Sequence, residues 1–220
     1  MKKVLALFLC MMTCGAALFA QEQTNEAQAN REQANANTGL RMSAGGGLIL
    51  QPVFGSEKYK GSSSTVESSG FGAGLNVFFD AKYVEVNLGL IFANEKSSKD
   101  DKKGFDTSNL FFGILGKYPI SLNEKISLFP FLGFDYRVTL GASYDGTKSD
   151  DASFIAEHFN ALSLVFGAGA DYDISEKLYL RGELGFGITF NTKNEDDNKD
   201  SYDSRFKGKL PIKLTVGYRL

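Results

Sequence analysis

LYLRGELGFGITFN, residues 178–191, alternates large apolar residues with polar residues and glycine. Leu178, Leu180, Leu184, Phe186, Ile188 and Phe190 fall on one face, and Tyr179, Arg181, Glu183, Gly185, Gly187, Thr189 and Asn191 on the other. A period of two is the side-chain period of a β-strand; a helix would bring residues three and four apart together. The chain ends on the same scheme: Leu210, Ile212, Leu214, Val216, Tyr218 and Leu220 oppose Lys209, Pro211, Lys213, Thr215, Gly217 and Arg219. A third copy sets Leu128, Leu132, Phe134, Tyr136, Val138 and Leu140 against Gly133, Asp135, Arg137, Thr139 and Gly141.

Working outward from these, eight runs of this kind are expected near 40–54, 70–80, 83–94, 107–118, 126–144, 159–173, 178–191 and 207–220. The connections near 81, 119–125 and 174–177 are short, and those near 55–69, 95–106, 145–158 and 192–206 are long and charged. Short and long connections in alternation describe an up-and-down barrel with its short turns in the periplasm and its long loops outside the cell. Lys82, Lys125 and Lys177 each stand at a strand start, followed by Leu88-Gly89-Leu90, Leu132-Gly133-Phe134 and Leu184-Gly185-Phe186, so one hairpin unit recurs.

Glycine tells the inside from the outside. Beyond the first strand, Gly72, Gly74, Gly89, Gly113, Gly133, Gly141, Gly167, Gly169, Gly185, Gly187 and Gly217 share the face opposite the apolar stripe, and Gly116 and Gly182 do not. Glycine weakens a strand on a solvated surface but makes room where strands converge around a narrow lumen. The apolar stripe is then the lipid-facing one, with Tyr118, Tyr136, Tyr172 and Tyr218 placed for the membrane interfaces. The other reading of the alternation is a soluble barrel or sandwich with an apolar core.

The N-terminus supports export. Lys2 and Lys3, the apolar run Val4–Thr13, and Ala16, Ala17 and Ala20 compose a signal peptide over 1–20, with cleavage after Ala20. Cys14 followed by Gly15 leaves lipidation at Cys14 as an alternative, although Thr13 is a poor residue before such a cut. Both cysteines lie in this segment, so the mature chain has no disulfide to rely on. Residues 21–39, rich in Gln, Asn and Ala, cannot supply a core and read as a flexible periplasmic tail before a barrel domain at 40–220. No later segment has eighteen apolar residues in succession, and a net charge of −2 argues against a nucleic-acid partner.

Over residues 40–220 the chain resembles the small outer-membrane barrels typified by the OmpA transmembrane domain, OmpX and OmpW. The resemblance lies in pattern and spacing, most specifically in the last strand KLTVGYRL, with Tyr218 two places before Leu220. It implies an all-β, eight-stranded antiparallel transmembrane barrel in a bacterial outer membrane, inserted by the barrel-assembly machinery through that strand. The family usually ends in Phe; this chain ends in Leu.

Inward charges are expected at Glu85, Lys117, Asp135, Arg137, Arg181, Glu183, Lys213 and Arg219, with Glu183 and Lys213 paired across adjacent strands. They read as a structural salt-bridge network or as a selectivity ring. Phe78, Leu115, Phe129, Phe131 and Tyr179 also point inward near the periplasmic end, either as a packed floor or as the lining of an apolar pocket of the kind the OmpW resemblance implies. Asp196, Asn198 and Asp200 have calcium-loop spacing, but Ser201 and Lys207 stand where an EF-hand needs Gly and Glu. His158, the single histidine, has Asp151, Ser153 and Glu157 near it in sequence, a neighbourhood too common in loops to mark a catalytic site. No catalytic, cofactor-binding or metal-binding residue is therefore assigned.

Three functions follow as expectations. The first is a non-enzymatic platform whose four long loops meet extracellular host or matrix molecules; the second is a narrow pore or a conduit for small hydrophobic molecules. The third is a lipid-modifying barrel enzyme using His158.

Overall fold

A computed structural model describes residues 42–220 apart from 60, 62, 99–103, 145–146, 150–159 and 192–201. The expected signal peptide, its cleavage or lipidation site and the 21–39 tail lie outside these residues. Eleven strands form: β1 (Met42–Tyr59), β2 (Thr65–Ala81), β3 (Val84–Ser97), β4 (Gly104–Lys117), β5 (Ile120–Ser121), β6 (Ile126–Tyr144), β7 (Thr147–Ser149), β8 (Ala161–Asp173), β9 (Leu178–Asn191), β10 (Tyr202–Lys209) and β11 (Ile212–Arg219). β5 and β7 are short additions to β6, and β10 and β11 lie end to end along one position in the wall, leaving eight antiparallel staves. β1 closes the ring by pairing with β2 on one side and with β10 and β11 on the other.

The register fixes the geometry. A path across the ladders from Ser43 runs through Asp80, Glu85, Leu115, Gly133, Val165, Gly187 and Lys209 and returns to β1 at Val53, ten residues beyond its start (53 − 43). That stagger tilts the strands about 40° and holds the bore to the width of facing side chains. Lys82, in the left-handed region at φ 57°, makes the tight turn between β2 and β3. The other two short turns share one design. Leu122 and Asn123 donate their N–H groups to the Ile126 carbonyl, just as Ile174 and Ser175 donate theirs to Leu178. The Asn123 and Ser175 side chains then accept from the returning backbone, at Ile126 N and Leu178 N.

Alternation orients the wall as expected. Leu180, Leu184, Leu214 and Val216 are exposed on the outside, Leu214 to 61%, while Arg181, Glu183, Lys213 and Thr215 are buried inside. Tyr118, Tyr136, Tyr172 and Tyr218 lie on the outer surface. No helix among the described residues is long and apolar enough to cross a membrane.

Three expectations are corrected. The connection at 55–69 is mostly strand: Ser56, Glu57 and Lys58 pair with Glu67, Val66 and Thr65, carrying the wall beyond its apolar band. Polar residues above the lipid carry no apolar period, so a search for alternation misses strands held by backbone pairing alone. The last strand is interrupted at Leu210–Pro211, because Pro211 has no N–H to give to the ladder; Leu210 N still reaches the Pro52 carbonyl. Gly141 leaves the inner face. A bulge beside Thr139 sets Gly141 opposite Ser108 and puts Ala142 opposite buried Thr107.

Candidate functional site

The lumen is built in layers, beginning at the short-turn end with aromatic rings seated on glycines. A Cβ added at Gly45 would meet the Phe78 ring, at Gly169 the Phe129 ring, at Gly217 the Tyr179 ring and at Gly89 the Phe111 ring. These four glycines are therefore sockets for inward aromatics: each ring lies over a neighbouring strand where a side chain would exclude it. Phe78, Leu115, Phe129, Phe131 and Tyr179 are all buried, as the floor reading requires, with Tyr179 exposed to only 1%. The Phe78 and Tyr179 rings are 6.5 Å apart, as are Phe129 and Phe131, and the Ser43 and Tyr179 hydroxyls share a hydrogen bond of 2.7 Å.

Arg181 packs among these rings and organises the charges interleaved with them at the same end. Its guanidinium lies 4.7 Å from the Phe78 ring centre, 4.9 Å from Phe129 and 5.2 Å from Tyr179. Its nitrogens reach Asp80 at 2.8 Å, Glu85 at 2.5 Å and Asp171 at 2.7 Å. Lys117 shares two of these carboxylates, Asp80 at 2.5 Å and Glu85 at 3.3 Å. Lys213 pairs with Glu183 at 2.9 Å, the cross-strand pair expected from sequence, and donates to Asn87 Oδ1 at 3.0 Å. The Glu183 oxygen makes no aligned hydrogen bond to that lysine, so the attraction there is mainly coulombic. A buried charge is tolerated only when partners replace its hydration, and these groups replace one another's.

Above the network comes a second apolar layer, Ile49, Ile91, Ala93 and Phe111, and then Lys209 paired with Asp135 at 2.5 Å. Between the ionic levels is a cavity of about 30 Å³, lined in part by Asn87, Leu115, Phe131, Asp135, Lys209 and Lys213. A space of that size admits on the order of one or two waters. Arg137 stands at the next level, 3.8 Å from Glu95, and Arg219 lies at the opposite rim against Asp173 at 2.5 Å.

All eight charges expected inside thus belong to the lumen or its rim, but Asp135 and Arg137 take different partners from one another. Asp80, Asp171 and Lys209 escaped the candidate set. Parity alone points to them, since Asp80 shares the face of Phe78, Asp171 that of Gly169 and Lys209 that of Lys213. Asp151, Ser153, Glu157 and His158 lie outside the described residues, as do Asp196, Asn198 and Asp200. Among the described residues no group of His, Cys, Asp and Glu is placed to hold a metal.

A closed wall with a lipid-facing apolar exterior and a charge-filled bore is the architecture of a membrane barrel, and the family model for the outer membrane protein beta-barrel domain matches residues 6–219. The chain belongs to this family. It is a protein of the bacterial outer membrane. Among solved structures, this outer-membrane barrel is similar to Neisserial surface protein A, with 11% identity over 79% of this chain and 97% of that one and a TM-score of 0.41. A major outer membrane protein of Thermus thermophilus is 17% identical over 79% of this chain and 99% of its own, with a TM-score of 0.42. The outer membrane protein W of E. coli is 9% identical over 80% and 98%, with a TM-score of 0.40. No curated protein matches the sequence significantly.

Proposed function

We propose that this outer-membrane barrel is a non-enzymatic surface platform, in which the membrane part holds the long connections rigidly toward the medium. The observation that carries this reading is the filled lumen: ion pairs and aromatic rings occupy the bore from Tyr179 to Lys209, and the space left between the ionic levels is about 30 Å³. Such a filling stiffens the wall and leaves the exposed connections as the part free to vary and to bind. β1 and β2 add to it by continuing as a paired wall above the apolar band. The partners of the platform are outer-membrane lipid along the apolar exterior, the barrel-assembly machinery at the last strand, and extracellular host or matrix molecules at the loops.

The test is removal of the connections at 60–64, 98–103, 145–160 and 192–201, singly and together, with adhesion of whole cells as the readout. Loss of adhesion with the barrel still inserted is expected; unchanged adhesion after losing all four would sink the proposal. Planar-bilayer recording and uptake of a small hydrophobic solute address the conduit reading. No steady current and no uptake are expected, and either activity would move the function into the lumen. The lipid-modifying reading is tested by His158→Ala, which is expected to leave the lipid composition of the membrane unchanged.

A further inference from the structure

We infer that the extracellular mouth of the barrel holds a binding site for one small tetrahedral oxyanion, a sulfate or phosphate group, with Arg137 as its principal ligand. The mouth is a pocket whose lining includes Ser68, Glu95, Arg137, Ser163, Thr189, Lys207 and Lys209, drawn from six of the eight staves. Arg137 and Lys209 also line the inner cavity, so these two cations form the partition between it and the mouth. The carboxylate that would be expected to neutralise Arg137 does so poorly. Glu95 meets only Nη1, at 3.8 Å, beyond hydrogen-bond reach, and the buried Nε–H has no acceptor. The inward cations deeper in the bore are each held more closely: Arg181, Lys117, Lys213 and Lys209 all lie within 3.0 Å of a carboxylate oxygen. A guanidinium with a buried, unused donor edge is costly unless an acceptor completes it, and its planar fork matches two oxygens of one oxyanion.

The surrounding chemistry fits the same ligand. Lys209 is held by Asp135 from the inner side at 2.5 and 2.6 Å and supplies positive potential to the mouth without standing free in it. Ser163 and Thr189 face each other across β8 and β9 with hydroxyls 3.1 Å apart, either of which has a proton to turn toward an anion. Glu95 is the one carboxylate lining the pocket among the described residues, and its charge opposes any anion there, so Arg137 must outweigh it. The site is made by strand residues, so it does not depend on the loop platform and survives loop deletion.

The experiment uses the refolded barrel in detergent micelles, titrated with sodium sulfate and with sodium phosphate against sodium chloride at matched ionic strength. The Arg137 Nε–H resonance is followed by NMR. Saturable shifts there and at the Ser163 and Thr189 amides, seen with both oxyanions and not with chloride, are expected. Arg137→Gln should weaken binding about tenfold or more, with heat-modifiable gel migration confirming that the variant still closes. Glucose 6-sulfate in place of inorganic sulfate separates the sources: tighter binding assigns the site to an ester group on a larger molecule, equal binding to the free anion. Shifts in the unmodified barrel that chloride reproduces, the absence of saturation, or unchanged affinity in Arg137→Gln would overturn the inference.

Discussion

Arg181 shows how a single side chain is held at this depth. It touches three carboxylates and three aromatic rings, and it is exposed to 2%. Arg181→Met keeps most of the apolar volume but strands Asp80, Glu85 and Asp171 in a dry interior. Breaking one partner out of a buried ionic group typically costs about 3–5 kcal/mol. The loss should appear as a lower urea midpoint for the heat-modifiable gel species, a readout that suits a chain without tryptophan. An unchanged midpoint would mean that water reaches these carboxylates. On the opposite face the solvent is lipid, and the penalty changes kind. Phe186→Arg places a charge on the outer wall, where arginine or lysine at the midplane costs about 2–4 kcal/mol, and membrane assembly should fail. Thr189→Arg turns the same side chain into the mouth and should assemble. The reverse order would put the apolar face inside.

At the scale of the element, strand and strand are matched by socket and ring. Gly169 on β8 receives Phe129 of β6, so a methyl at residue 169 must displace the ring. Gly169→Ala should destabilise the barrel by about 1–3 kcal/mol, the usual range for overpacking. Phe129→Leu should cost stability alone yet cost less in the Gly169→Ala background. Strict additivity in that double-mutant cycle would dissociate the glycine from the ring. The same matching explains the inner glycines of β8 and β11, where Gly167 and Gly169 lie against Phe131 and Phe129 of β6 and Gly217 lies against Tyr179 of β9, while the outer positions of these strands are mostly apolar. Outside, lipid accepts any apolar shape; inside, the neighbour's surface sets the shape.

For the whole molecule, closure is complete within the described residues: β1 begins at Met42 and meets both neighbours. Deleting residues 21–39 should therefore leave the urea midpoint of the folded barrel unchanged; a lower one would show that the tail packs against it. The spanning strands, their faces and eight of the inward charges were legible in the sequence, because lipid on one side and a crowded bore on the other impose a period of two on the spanning residues, broken at the bulge before Gly141. The Glu183–Lys213 pair was legible too, since neighbouring strands of known register bring it together. The upper parts of β1, β2 and β10 were not, because strands above the lipid need only backbone partners. Nor were Arg181's contacts with Asp80 and Glu85 or the unmatched edge of Arg137. Those contacts join staves far apart in the chain, and the ten-residue stagger of the closed ring, which no local pattern encodes, decides which side chains meet across the lumen.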